Sequence, residues 1–148
     1  KSKKKDLDFV LNKYLSDKFF AVFPHMHRNC IYEEAKACIY RNKDNVLSIL
    51  KQALNYSYHN YPENNGGVET GVLLRKHMHG SLIKFSEAWW HELNKFSKRD
   101  QISFNFISWK LGFRFNYIDG YIWNNKYFEV NEMHLKDRRK QLNINKSI

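Results

Sequence analysis

The pattern of apolar and polar residues along the chain predicts short buried strands separated by helices. The first strand is FFAVF at 19–23, which is continuously apolar and is ended by Pro24. A second, VETGVLLRK at 68–76, follows the turn sequence PENNGG, and a third is expected within FRFNYID at 113–119. Because strands that alternate with helices are typical of α/β folds, we expect a mainly parallel sheet flanked by helices.

Helices are predicted wherever apolar residues recur at helical spacing. We expect them from Asp6 to Leu15, from Cys30 through Ile39, from Asp44 to a point before Pro62, from Ser81 to Phe96, and from Asp100 onward. The third helix carries an apolar stripe that is expected to face the core, formed by Val46, Leu47, Leu50, Ala53 and Leu54. Trp89 and Trp109 are expected to point inward from the last two helices, whereas Trp90 is expected to pack laterally against a neighbouring helix.

The composition is that of one globular unit. With 148 residues, of which 43% are hydrophobic and 16% aromatic, the chain can bury one sizeable core but not two. No apolar run reaches the roughly 20 residues that span a bilayer, and the first residues lack the apolar segment of a signal peptide. Cys30 and Cys38 lie about 12 Å apart along one predicted helix, too far for a disulfide. We therefore expect free thiols and a cytoplasmic protein.

The chain is strongly basic, with 25 Lys and Arg against 15 Asp and Glu and a net charge of +10. Part of this excess lies in the end segments KSKKK at 1–5 and KDRRK at 136–140. A positive field attracts phosphates of any kind, so that nucleic acid, anionic lipid and nucleotide-linked substrates all remain open as partners. The charge also allows peripheral association with the inner face of an anionic membrane.

Three stretches carry most of the polar residues that could form a site. They are FPHMHRNCIYEEAKACI at 23–39, NNGGVETGVLLRKH at 64–77 and AWWHELNKFSKRDQISFNFISWKLG at 88–112. Together these resemble a glycosyltransferase-like family found in bacterial polysaccharide loci and in plant mucilage and turgor-regulation proteins. The family pattern has His-x-x-Arg, Cys-x-Tyr-Glu-Glu, Glu-Thr-Gly, a Trp-Trp helix and Arg-Asp-Gln with Ser-Phe, in the order found here.

The resemblance implies a GT-A-like, Rossmann-like α/β fold. It also implies transfer of a sugar from a nucleotide-sugar donor to a glycan or lipid-linked acceptor in polysaccharide biosynthesis. Such enzymes use a divalent cation, Mn²⁺ or Mg²⁺, held by an upstream Asp-x-Asp-like motif, and no such motif precedes Lys1. Residues 1–131 are therefore expected to be the C-terminal, acceptor-side part of a transferase domain. Most metal ligands would then lie outside this chain, and residues 132–148 would form a basic tail.

The candidate site residues fall near the ends of predicted strands and helices, where α/β sheets place ligand-binding groups. A more distant similarity to glycogenin-like enzymes places Asp100 and Glu69 near the acceptor and the donor sugar, and both are expected to be catalytic. Glu69 follows a Gly pair, which would let a ligand approach the backbone. Substrate binding is expected from His25, Arg28, Glu33, Thr70, Arg99 and Gln101.

Simpler explanations of the same residues stay open at this point. Asp100 is also suited to capping a helix, and Glu33 and Glu34 are suited to the first turn of a helix, where the dipole favours acids. The charge and the aromatic content leave a nucleic-acid-binding module as an alternative function, although most aromatic residues have core periodicity. A third alternative is a non-catalytic half-domain that needs a missing N-terminal half. The transferase hypothesis predicts no sequence-specific binding of nucleic acid.

Overall fold

The computed structural model describes residues 3–128, and these form helices packed around one small sheet. The elements are α1 (Lys3–Leu15), β1 (Phe20–Pro24), α2 (Ile31–Tyr40), α3 (Val46–Tyr58), β2 (Val68–Arg75), α4 (Gly80–Lys95), α5 (Asp100–Leu111) and β3 (Asn116–Tyr117). The predicted elements are confirmed with shifts of a few residues at their ends. The first helix begins at Lys3 rather than Asp6, and the third strand is only two residues long. The predicted basic tail at 132–148 lies outside the described residues.

The sheet is mixed, with the strand order β2-β1-β3. The long pairing, between β1 and β2, is antiparallel, and the parallel pairing of β1 with β3 involves two residue pairs. The expected mainly parallel sheet is therefore wrong for residues 3–128. The physical reason is that two helices, rather than one, connect β1 to β2, so the chain returns to the sheet running in the opposite direction. Two further helices, α4 and α5, then restore the direction of β1 in β3.

A bulge interrupts β2 at the Glu-Thr-Gly sequence. Val22 of β1 pairs with Leu73, but the next residue, Phe23, pairs with Glu69. The residues at 70–72 therefore have no partner on β1, and the strand bends away from the ladder there. Bulges of this kind redirect side chains and are frequent beside functional sites.

The helix α5 lies at the centre of the core. Its residues from Ile102 to Ser108 are all buried, because helices and strands surround it on every side. Phe104 contacts the rings of Phe20 and Phe85, which joins α5 to β1 and to α4. A helix that is buried all round has no single apolar face, and this explains why its inward residues were only partly predictable.

Of the apolar stripe predicted for the inner face of α3, Ala53 packs against the core, but the other four residues face solvent. Leu47 and Leu54 are 65% and 69% exposed, and Val46 and Leu50 are also exposed. The buried face is formed by Ile49, Gln52 and Tyr56. A hydrogen bond between its two polar side chains lowers the cost of burying them, although the Gln52 Oε1 has no partner among the described residues. The Gln52 Nε2 donates to the Tyr56 hydroxyl at 2.7 Å, and the Tyr56 ring stacks on Phe106 at 3.7 Å between centroids.

The Trp residues follow the sequence expectations in part. Trp89 is packed against the core and its indole N–H donates to the Ser103 hydroxyl at 2.9 Å. Trp109, expected to be inward, is 42% exposed, and Trp90, expected to pack laterally, is 67% exposed. Trp109 lies at the last turn of α5, where the helix leaves the core. Within residues 3–128, no helix has the length and apolar character needed to cross a membrane.

Candidate functional site

A polar cleft of about 390 Å³ opens where four parts of the chain meet. These are the loop that follows β1, the inner face of α2, the bulge of β2 and the first turn of α5, and the segment around Trp123 closes one side. The cleft is lined by seven of the eight residues expected in the site: His25, Arg28, Glu69, Thr70, Arg99, Asp100 and Gln101. Sequences that are up to 76 positions apart thus meet at one place.

The loop after β1 is folded around the His25 side chain. Its Nδ1 accepts hydrogen bonds from the backbone N–H groups of His27 and Arg28, at 3.0 and 3.1 Å. The Nε2 atom lies 3.5 Å from Glu34 Oε2 and 3.0 Å from Arg28 Nη2. Burial and the Arg28 guanidinium lower the pKa of His25, which therefore remains neutral near pH 7. His25 thus organises the loop that presents Arg28 to the cleft.

The helix α2 contributes Glu34, not Glu33, to the cleft. Glu34 is buried and accepts a hydrogen bond from the Arg28 Nε, and its other oxygen accepts from the Cys38 thiol at 3.3 Å. Burial and the nearby Glu34 raise the pKa of Cys38, which keeps the thiol protonated. Glu33 is exposed and pairs with Lys36 outside the cleft. Glu33 therefore lies outside the cleft, because one step along a helix turns a side chain about 100° away, and its role in substrate binding stays a prediction.

The bulge of β2 places Glu69 in the floor of the cleft. Glu69 is 8% exposed, and its Oε2 has no hydrogen-bond partner among the described residues. Burial raises the pKa of Glu69, and this rise is opposed by the backbone N–H groups of Ile122 and Met26. A buried carboxylate that lacks a full set of partners is a typical functional-site feature.

The Gly pair before Glu69 packs against protein rather than leaving room for a ligand. A Cβ on Gly67 would lie 2.3 Å from the Arg28 carbonyl oxygen. The Gly67 carbonyl also accepts a hydrogen bond from the His25 N–H at 2.9 Å. The expectation that a ligand approaches the backbone here is wrong, and Gly67 instead allows β2 to lie close to the loop that carries Arg28.

The first turn of α5 supplies a carboxylate that is held in a fixed orientation. The Thr70 hydroxyl donates to Asp100 Oδ2 at 2.6 Å, and the Gln101 N–H donates to Asp100 Oδ1 at 3.0 Å. The Gln101 side chain in turn donates to the Val68 carbonyl at 3.2 Å, which ties α5 to β2. Asp100 therefore satisfies a helix N–H group and also faces the cleft. The two interpretations of this residue are compatible.

Several cleft residues were not predicted from the sequence. Arg41, Lys43, His27 and Trp123 line it. A signal for Arg41 was present, because Glu34, Cys38 and Arg41 recur at helical spacing along one face of α2. The acidic residues that line the cleft are Glu34, Glu69 and Asp100. The Lys and Arg residues that line it are Arg28, Arg41, Lys43 and Arg99. The cleft therefore combines a positive rim with buried carboxylates.

Metal binding by the described residues has little geometric support. Among residues 3–128, no group of three or more His, Cys, Asp or Glu side chains could hold a metal ion. The acids of the cleft are instead engaged with Arg28, Thr70 and backbone N–H groups. Within this part of the chain they act as hydrogen-bond acceptors.

A family model described as "TOD1/MUCI70, glycosyltransferase-like domain" matches residues 5–142 of the chain. Comparison with curated proteins gives no match, and comparison with solved structures gives none. The match covers every residue of the cleft and all three motif stretches.

Proposed function

The chain belongs to the TOD1/MUCI70 glycosyltransferase-like domain family, and on this premise we propose that the cleft transfers a sugar from a nucleotide-sugar donor to an acceptor hydroxyl. The observation that carries the proposal is the meeting of Glu69, Asp100 and a positive rim in one cleft. Glycosyl transfer needs cations for the leaving diphosphate, groups that hold sugar hydroxyls, and a base for the acceptor. The lining of the cleft contains each of these kinds of group.

The donor diphosphate is assigned to the cationic side of the cleft. Arg41 and Lys43 are exposed on its rim, and Arg99 lies deeper, with a buried Nε that has no partner among the described residues. Arg28 is held by Glu34, so its guanidinium is oriented before a ligand arrives. Guanidinium groups form paired hydrogen bonds with phosphate oxygens, which stabilises the charge that develops as the diphosphate leaves.

The acceptor is assigned to the carboxylate side. Glu69, whose pKa is raised by burial, receives the proton of the acceptor hydroxyl as that oxygen attacks the anomeric carbon. The bond from the anomeric carbon to the acceptor oxygen forms while the bond to the diphosphate oxygen breaks, and the electron pair leaves with the diphosphate. Asp100 has both carboxylate oxygens fixed by Thr70 and Gln101, and it holds a sugar hydroxyl in position.

The remaining parts of the proposal concern partners and context. We include a divalent cation, Mn²⁺ or Mg²⁺, whose ligands lie mainly outside this chain and which would neutralise diphosphate charge. The acceptor is a glycan or a lipid-linked glycan in polysaccharide biosynthesis. We also propose a cytoplasmic location with peripheral association to an anionic membrane, and a role for residues 1–131 as the acceptor-side part of the transferase domain.

Replacement of Asp100 by Asn tests the proposed function. In the full-length protein, release of nucleoside diphosphate is measured with a panel of UDP-, GDP- and dTDP-sugars. We expect the wild type to turn over at least one donor, and Asp100→Asn to lower kcat by roughly 100-fold. The melting temperature should change little, because the Asn oxygen can accept from the Gln101 N–H while its amide nitrogen donates to the Thr70 hydroxyl.

Asp17→Asn is the matched control. Asp17 lies outside the cleft and accepts hydrogen bonds from the Asn116 side-chain amide and the Lys18 ammonium, so this variant should leave kcat unchanged. If Asp100→Asn keeps activity within a few-fold of the wild type, Asp100 is only a helix cap. If the wild type turns over no donor in the panel, the transferase assignment fails.

A further inference from the structure

A second cavity, of about 310 Å³, lies beside the C-terminal half of α5. It shares no lining residue with the cleft. Its wall includes two amides and a hydroxyl, from Asn65, Asn105 and Ser108, and two partly exposed aromatic side chains, Trp109 and Tyr117. The proposed transfer chemistry uses none of these residues.

The Asn105 side chain has an unused acceptor. Asn105 is 5% exposed, and its Nδ2 donates to the Asn65 carbonyl at 3.4 Å. Its Oδ1 is buried and has no hydrogen-bond partner within residues 3–128. A buried acceptor without a donor destabilises the fold, so such an atom indicates a missing donor. Ser108 donates to the Phe113 carbonyl at 2.6 Å, which leaves the lone pairs of its hydroxyl able to accept from a ligand.

The aromatic residues supply the apolar part of the wall. Trp109 and Tyr117 are 42% and 44% exposed. The Trp109 ring is held by an edge contact with Tyr61, with centroids 5.3 Å apart. An aromatic surface beside a few fixed polar groups suits a ligand that has both C–H faces and hydroxyl donors.

We propose that this second cavity binds a neutral saccharide unit. The ring of the sugar stacks on Trp109, and one of its hydroxyls donates to the Ser108 hydroxyl. Another donates to Asn105 Oδ1 once the groups that cover this buried atom move aside. Among the described residues that line the cavity, Arg114 is the only charged one, and a phosphorylated ligand would call for more cations. The lining favours a ligand that is rich in hydroxyl groups and uncharged.

The position of the cavity relates this saccharide to the cleft. Trp109 is eight residues from Gln101 on α5, which is about 12 Å along the helix axis. The segment at 65–69 joins the two places: a Cβ on Gly66 would lie 2.8 Å from the Tyr117 hydroxyl, and Gly67 packs against the Arg28 backbone. An acceptor oligosaccharide that occupied both places would have to span this distance. Its assignment as the acceptor rests on the proposed function, whereas saccharide binding does not.

Direct binding tests the inference without reference to turnover. Cellotriose, maltotriose, xylotriose and mannotriose are added separately to the full-length protein, and binding is measured by saturation-transfer difference NMR and by calorimetry. We expect at least one trisaccharide to bind, and Trp109→Ala to weaken it at least tenfold. Trp90→Ala is the matched control, because Trp90 is an exposed Trp that lies outside the cavity, and it should leave the affinity unchanged. Asn105→Leu, of similar size, should also weaken binding.

The outcomes separate this inference from the proposed function. Asp100→Asn should keep the trisaccharide affinity while losing transfer. An inactive wild type that still binds a trisaccharide through Trp109 would overturn only the transferase assignment. Absence of binding across the panel, or binding that Trp109→Ala leaves unchanged, would overturn the saccharide site. UMP is tested in the same way. If Trp109→Ala weakens the binding of UMP but not of any sugar, the saccharide site would also be overturned, because the cavity would then hold a nucleobase.

Discussion

Replacing Glu69 by Gln is expected to make the protein more stable and less active. The carboxylate is 8% exposed and its Oε2 has no partner among the described residues. Burial raises its pKa above the ordinary value of 4.5. The native state therefore holds this proton more tightly than the unfolded state does. Stability falls as the pH rises from 4.5 through the raised pKa, and the full penalty is present above both.

The magnitude follows from the cost of burying the carboxylate charge, which the neutral Gln side chain does not carry although its amide leaves the same position without a partner. That cost is about 1–3 kcal/mol, and partial compensation by the N–H groups of Ile122 and Met26 places the gain near its lower end. A neutral Gln side chain of the same shape should raise the free energy of unfolding by about 1 kcal/mol at pH 7.5. For a chain of this length, that is roughly 4 °C in Tm.

Thermal melts of both proteins from pH 4.5 to 8 measure the effect. The difference in Tm should be small at the acid end and should grow toward pH 8, while turnover of the nucleotide sugar by Glu69→Gln falls about 100-fold. Glu33→Gln is the control on an exposed acid outside the cleft, and it should change stability by no more than about 0.5 kcal/mol. A Glu69→Gln protein that is less stable than the wild type at pH 7.5 would refute the reasoning, since the carboxylate would then gain more from its neighbours than burial costs it.

Three further predictions test the packing, the pH response and the charge. Gly67→Ala should lower the free energy of unfolding by roughly 1–3 kcal/mol in chemical denaturation, because the added Cβ would lie 2.3 Å from the Arg28 carbonyl oxygen. Gly80→Ala is the control, since the space around Gly80 is open, and equal effects of the two changes would contradict this packing. The pKa of His25 is lowered in the folded protein, so the free energy of unfolding should fall as the pH drops below about 6.5. His25→Asn should flatten the plot of unfolding free energy against pH between pH 5 and 6.5, and an unchanged slope would assign this pH dependence to other groups. Removing residues 1–5 (KSKKK) and neutralising residues 136–140 (KDRRK) should abolish the salt-sensitive binding of nucleic acid, measured by titration at several ionic strengths, while sugar transfer persists. Tight, sequence-selective binding at physiological salt would instead favour a nucleic-acid-binding module.

The sequence was informative where a motif fixes local chemistry. His25, Glu69 and Asp100 were expected in one site from three separate stretches, and the structure places them around one cleft. Their roles remain predictions. Glu33 was placed there wrongly, because a pair of adjacent acids does not reveal which of the two faces inward. Arg41 was missed, because its contribution depends on where the end of α2 lies in the folded protein.

The direction of the strands and the burial of α3 could not be predicted in the same way. Strand direction depends on how many helices return the chain to the sheet. Periodicity predicted two helices in each connection, but the expected parallel sheet followed from the alternation of strands with helices alone, which does not take that number into account. In α3 the apolar residues outnumber the others on the exposed side. Gln52 and Tyr56 are buried instead and are joined by a hydrogen bond, and a pairwise hydrogen bond cannot be read from hydropathy.

The burial of α5 determines how the sites respond to motion. The helix carries Asp100 at one end and Trp109 at the other, and the residues between them, Ile102 to Ser108, are buried on all sides. Amide hydrogens exchange with solvent through local opening only where an element can leave its neighbours without disrupting the core. For these residues such an opening would expose the centre of the domain, so their exchange follows global unfolding. Both sites are therefore built on the slowest-exchanging part of the fold, and heat abolishes them in the same cooperative step that melts the domain.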